Sequence, residues 1–181
     1  TTRRGWPSER LPAGAWRLAA ASGFVAIGYE VLLLRRLPFF LEGFQPTLSG
    51  ILAGFLFAMA LGAALAAVAG ARPAGGRTAA GALVLAVLGA ALGVHEVVGA
   101  AVARQAVGSE FGYQFRILAA ATLAAAPVAV PVGAVVPLLL AGLTGARSRA
   151  AGALFCAQGF GSLGGALLVG QVLPLVAPRG F

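Results

Sequence analysis

Apolar residues fill five long stretches of the chain, and short Arg-bearing segments separate them. The stretches run over residues 18–37, 48–71, 79–102, 117–143 and 150–176. Each approaches or exceeds the about 20 residues that cross a hydrocarbon core. Lipid offers no partner to a bare peptide group, so each stretch is predicted to be an α-helix. A soluble bundle would show a polar face every 3.6 residues, whereas these stretches are apolar on nearly all sides. The predicted fold is therefore all-α, a polytopic transmembrane bundle of five spanning helices. Residues 1–17 form an N-terminal segment, 18–176 the bundle and 177–181 a short end.

Flanking residues agree with these limits. Pro38 follows the first stretch, Pro46 precedes the second, and Pro73 with Gly75 and Gly76 follows it. Thr78 is placed to cap the third helix. Residues 104–116, with Ser109, Glu110 and Gln114, read as a polar loop.

Composition strengthens the membrane reading. Of 181 residues, 60% are hydrophobic and 10% charged, against about 45–50% and 25% in soluble domains. The 27 glycines suit helices that pack closely in a bilayer. A net charge of +8 invites a nucleic-acid reading. That reading needs a clustered basic stripe with aromatics, and here the arginines sit one or two per loop. The lone cysteine, Cys156, excludes an internal disulfide, and no Cys/His spacing fits a metal.

The basic residues are all arginine, and their distribution predicts orientation. Arg3, Arg4, Arg10, Arg17, Arg72, Arg77, Arg147 and Arg149 fall on one side of an alternating chain, with Glu9 the acid among them. Arg35, Arg36, Arg104, Arg116 and Arg179 fall on the other. The bias, eight against five, predicts a multi-pass protein of the cell (inner or plasma) membrane with a cytoplasmic N-terminus. The segment before Leu18 has no apolar core, so it does not read as a secretory signal.

Small residues recur along the second stretch at Gly50, Gly54, Ala58, Gly62, Ala66 and Gly70, and along the fifth at Ala157, Gly161 and Gly165. Such stripes let helix backbones approach closely. They serve either packing inside the bundle or docking of partner subunits. The fourth stretch contains Pro127, Pro131 and Pro137, each of which removes a backbone donor. Freed carbonyls of that kind line cavities in some transporters.

Polar residues inside the apolar stretches carry the candidate chemistry. Glu30 lies about 18 Å along its helix from Leu18, and a carboxylate in a membrane helix is a functional hypothesis by default. His95, Glu96 and Arg116 fall toward the same side of the membrane. These four form the candidate intramembrane polar site, either as a proton or cation relay or as a structural network in which arginine compensates glutamate. His95 has no second His at helical spacing, so no metal is expected. There is no phosphate-binding loop and no strand-borne dinucleotide loop, and no Asp exists to complete a Ser/His/Asp set. No cofactor is expected.

Three segments together resemble a known family. The run Ser22, Gly23, Phe24, Val25, Ala26, Ile27, Gly28, Tyr29, Glu30, Val31 and Leu32 is similar to the opening helix of membrane-embedded spermidine-synthase-like proteins. Ile51 to Phe55, through Leu61 and Gly62, resembles that family's second helix. Leu154, Phe155, Cys156, Ala157, Gln158, Gly159, Phe160 and Gly161, continuing to Leu173 and Pro174, resemble a later one, and Gly133 to Leu140 the segment before it. Gln158 stands where the family usually has Asn, Leu33 replaces a common aromatic, and a sixth helix after Pro174 is missing. The resemblance implies the helical membrane region of such proteins. It does not imply their soluble aminopropyltransferase domain, which has no counterpart in these residues.

The expected role is non-catalytic: an integral membrane subunit or domain that scaffolds, anchors or docks onto other membrane proteins. Lipid and other membrane subunits are the expected partners. A half-transporter moving a proton or small cation past Glu30 is one alternative. The membrane anchor of an aminopropyltransferase encoded beyond this chain is another.

Overall fold

The structure, a computed structural model, describes residues 13–39, 44–68, 75–93, 97–98, 101, 110–142 and 147–172. Helices α1 (Ala13–Arg36), α2 (Phe44–Val68), α3 (Gly75–Ala91), α4 (Glu110–Ala141) and α5 (Arg147–Leu167) make up nearly all of it. A 3-10 turn, Leu37–Phe39, extends α1, and a π-helical stretch, Leu168–Val172, extends α5. No strand occurs among the described residues.

Four helical spans are long and apolar enough to cross a membrane: Gly14–Arg36, Thr47–Val68, Glu110–Ala141 and Arg149–Val172. The third helix departs from the sequence expectation of one element over 79–102. It ends at Ala91, with Leu92 and Gly93 in a turn. Gly93 adopts φ 60, a left-handed conformation that glycine reaches without a Cβ penalty. The Gly93 N–H donates to the Ala90 carbonyl at 3.3 Å and the Leu92 N–H to Leu88 at 3.0 Å, closing the helix end. Hydropathy averaged over a long stretch passes over this stop, although His95 and Glu96 follow Gly93 within three residues. At its other end α3 starts at Gly75, so Thr78 lies inside the helix rather than capping it. Residues 110–116, expected as loop, form the first two turns of α4, whose opening Glu110 suits the helix dipole.

α4 is the hub. One flank buries Ile117, Ala120, Ala121, Ala124, Val128 and Val132, along with most of its apolar neighbours down to Leu139. It packs most extensively on α2, then on α3 and α1. Helix α1 faces it with Ala15, Ala19, Ser22, Ala26, Tyr29, Leu33 and Leu37, all buried. Their spacings of three or four residues, carried by Leu37 into the 3-10 turn, form the seam of a helix pair. The second close pair is α1 with α5.

Glycine contacts fix the helix directions. Along α1 and α5, Gly161 meets Ala20, Gly165 meets Phe24, and Gly170 meets Val31, so these helices run parallel. Along α2 and α4, Gly50 meets Ile117, Gly54 meets Thr122 and Gly62 meets Val130, again in parallel. α3 runs against α4, with Gly89 at Pro127 and Ala79 clustered with Val135, Val136 and Leu139. α1 also runs against α4: Tyr29 pairs with Ala124, while Ala15 clusters near Leu139. Each helix is therefore antiparallel to the one before it.

Candidate intramembrane polar site

The candidate site gathers where the C-terminal end of α1 meets the N-terminal end of α4. Tyr29 fixes their register. It is buried, and its hydroxyl donates to the Ala124 carbonyl at 2.9 Å. In hydrocarbon a phenol without a partner would be costly, so this bond both satisfies the hydroxyl and ties α1 to the hub.

From that level the helices rise together. Arg36 is about 10 Å beyond Tyr29, and Arg116 is about 12 Å beyond Ala124, so the two arginines share a layer. Both have buried Nε atoms. The Arg116 guanidinium also stands over the Tyr113 ring, 5.3 Å from its centroid, a cation–π arrangement. Neighbouring Arg35 donates through Nη2 to the Gly170 carbonyl in the π-helical stretch. That bond fastens the far end of α5 to α1.

Glu30 is half-buried and about 9 Å deeper than Arg36. By helical spacing it sits on the α1 stripe of Gly23, Ile27 and Leu34, between the face turned to α4 and the face turned to α5. Among the described residues it makes no ion pair and no hydrogen bond. Arg116 is therefore not brought onto Glu30. His95 and Glu96 lie outside the described residues. No group of three potential metal ligands occurs among the described residues.

The candidate packing glycines act between helices of this chain. Gly50 and Gly54 of α2 lie against Ile117 and Thr122 of α4. Gly62 admits the Val130 carbonyl, while Gly133 on α4 admits the carbonyl of Met59, so the two helices clasp reciprocally. On the other pair, Gly161 and Gly165 of α5 admit the Ala20 and Phe24 carbonyls, and Gly23 of α1 admits that of Gln158. The Ser162 hydroxyl adds a bond to the Gly23 carbonyl at 3.3 Å.

The prolines leave α4 a single helix over 32 residues. Pro131 deprives the Pro127 carbonyl of its helical donor. That carbonyl faces Gly89 of α3, where an added Cβ would lie 2.7 Å from it. The freed carbonyl thus meets a neighbouring helix rather than a cavity.

Three contributors escaped the sequence reading. Tyr29 was overshadowed by the charge of Glu30 beside it, although a tyrosine in an apolar stretch signals a needed acceptor. Gly89 is isolated in its helix, while Gly133, between Pro131 and Pro137, continues a four-residue stripe of Ala121, Ala125 and Ala129 that stands out less than a run of glycines. Only the facing carbonyl reveals their purpose. No family model matches the chain, nor does any curated protein or solved structure.

Proposed function

We propose that the chain is a non-catalytic, membrane-embedded helical unit that docks onto other membrane proteins through α5. The observation carrying this reading is how little of α5 the bundle uses. Only 17% of its spanning window is buried, against 33–44% for the other three candidate spans. Its outward stripe of Gly152, Phe155, Gly159 and Leu163 is exposed, with open space at Gly152 and Gly159. Small residues beside large apolar ones suit close helix approach in lipid, where association depends on packing rather than on escape from water. In this reading all five helices span, α3 with the help of residues beyond Ala91, and the arginine-rich end faces the cytoplasm of a cell membrane. The similarity of the α1 and α5 segments to spermidine-synthase-like membrane regions supports a docking or anchoring unit, not a catalytic one.

Affinity purification from native membranes tests the proposal. Replacing Gly159 with Leu, or Phe155 with Ala, should remove co-purifying membrane proteins while the bundle stays folded. Unchanged complexes in both variants would overturn the reading.

One observation favours a second reading, passage of a proton or small cation. Glu30 is a half-buried carboxylate with no ion pair among the described residues. This reading predicts that Glu30→Gln abolishes cation flux in proteoliposomes. Equal flux in the variant and the parent, or none in either, would remove it.

A further inference from the structure

An open apolar groove of about 560 Å³ runs between α1, α3 and α5. Ala21 and Phe24 of α1, Leu83 and Val87 of α3, and Phe160 and Gly164 of α5 line it. These three helices run parallel, so the groove leads toward a single end where all three begin.

That end is basic. Arg17 precedes Ala21 and Phe24 by four and seven residues, which places it on the same face of α1. Arg149 precedes Phe160 and Gly164 by close to three and four helical turns, on the same face of α5. Arg77 opens α3. Arg17 lies about 6 Å from Ala21 along its axis and Arg77 about 9 Å from Leu83, while Arg149 stands farther out, about 17 Å from Phe160. All three are exposed, and among the described residues none makes an ion pair or hydrogen bond. The segments adjoining these helix ends in sequence carry eight arginines and one glutamate, against five and three at the opposite end, with Glu30 deeper in α1.

We infer that the groove and its arginine mouth hold an anionic phospholipid. One acyl chain lies along the apolar wall, and the phosphate meets Arg17 and Arg77, with Arg149 reaching the outer headgroup. Both halves of the groove enter this assignment. A free anion has no use for the apolar wall, and an apolar helix has no use for three cations at the mouth. Arginine suits the role because its planar fork pairs bidentately with phosphate oxygens. Basic residues at a membrane surface draw anionic lipid by electrostatics alone; the groove adds a seat for the chain. The face used is not the Phe155–Gly159–Leu163 stripe, so the inference stands apart from the docking proposal.

The full chain, purified and stripped of lipid in mild detergent, is titrated with phosphatidylglycerol or phosphatidylcholine and bound lipid is counted by native mass spectrometry. Phosphatidylglycerol should be retained at one molecule per chain, with phosphatidylcholine at least about tenfold weaker. The double variant Arg17→Gln, Arg149→Gln should weaken phosphatidylglycerol about tenfold or more, and Arg17→Lys, Arg149→Lys should keep most of the binding. Gly164→Leu fills the groove, since an added Cβ there makes only ordinary contact with Phe24. It should also lose the lipid, while Gly81→Leu, facing open space on α3, should not. Inorganic phosphate should not compete.

Parental binding in the glutamine variant, or equal retention of both lipids, overturns the assignment. Parental binding in Gly164→Leu reduces it to a headgroup contact and overturns the groove. Competition by inorganic phosphate points to a free-anion site. A change of oligomeric state in Gly164→Leu with lipid binding intact makes the groove a helix seat instead.

Discussion

At the scale of single residues, the bundle depends on where glycine faces a neighbouring carbonyl. Gly62 and Gly133 have no room for a side chain, because backbone from Val130 and Met59 occupies that space. Gly62→Leu or Gly133→Leu should destabilise the bundle by about 1–3 kcal/mol, the usual cost of overpacking. Gly81→Ala and Gly152→Ala meet nothing within 4 Å and should be neutral or gain about 0.4–1 kcal/mol by restricting the unfolded chain. Denaturant unfolding in detergent micelles ranks the four variants. Tyr29→Phe leaves the Ala124 carbonyl to its helical donor alone and should cost about 0.6–1.7 kcal/mol in the same assay. Sequence spacing disclosed Gly50, Gly54, Gly62, Gly161 and Gly165 as packing residues, because a stripe repeats. It did not tell whether the stripe met a helix of this chain or of another, since apolar surface in lipid looks the same in both cases. Gly89 stands alone and had no repeat to expose it, and Gly133 ends a four-spaced run of Ala121, Ala125 and Ala129 in which it is the one glycine.

Elements show the same division between what spacing records and what contact decides. Four apolar stretches became helices, though α1 begins five residues and α4 seven residues before the expected limits. The third did not, because Gly93 turns the chain within a long apolar run, where the short dip at His95 and Glu96 is outweighed by the apolar residues on both sides. Of the polar stretch 104–116 expected as loop, residues 110–116 open α4, their hydropathy interrupted by Glu110, Gln114 and Arg116, and 104–109 lie outside the described residues. A helix can carry polar residues in its first turns, where they reach the membrane surface. The contribution of Arg35 is equally invisible in sequence, because its acceptor is the Gly170 carbonyl on another helix. Arg35→Met should release the π-helical stretch Leu168–Val172 from α1. Hydrogen exchange in that stretch should quicken, while Ala157 and Gly161, clamped farther along α5, keep their protection. Uniform exchange along α5 in both proteins would show that the arginine adds nothing there.

For the whole molecule, alternating helix directions put Arg17, Arg77 and Arg149 at one end and Arg35, Arg36 and Arg116 at the other. The proposed orientation is read directly by thiol labelling. In a Cys156→Ser background, a cysteine at Arg77 should be shielded from an impermeant reagent applied to intact cells, and one at Gly112 should react. The opposite pattern inverts the assignment. Of the candidate polar site, the side of the bundle was legible from sequence, since alternation alone gathers Glu30 and Arg116 there. Whether they pair was not, because a separation of about two helical turns appears only once Tyr29 and Ala124 set the two helices level.

The contrast between α3 and α4 reaches beyond the protein. A helix of 17 residues lifts about 25 Å of apolar wall, less than the about 30 Å of an average hydrocarbon layer, while its 32-residue neighbour rises about 48 Å. In the proposed bilayer setting, either the residues after Ala91 make up that height or the acyl tails beside α3 shorten their reach. In the second case a thicker bilayer strains one flank only, which steers the protein toward thin regions of a heterogeneous membrane and tilts it within thick ones.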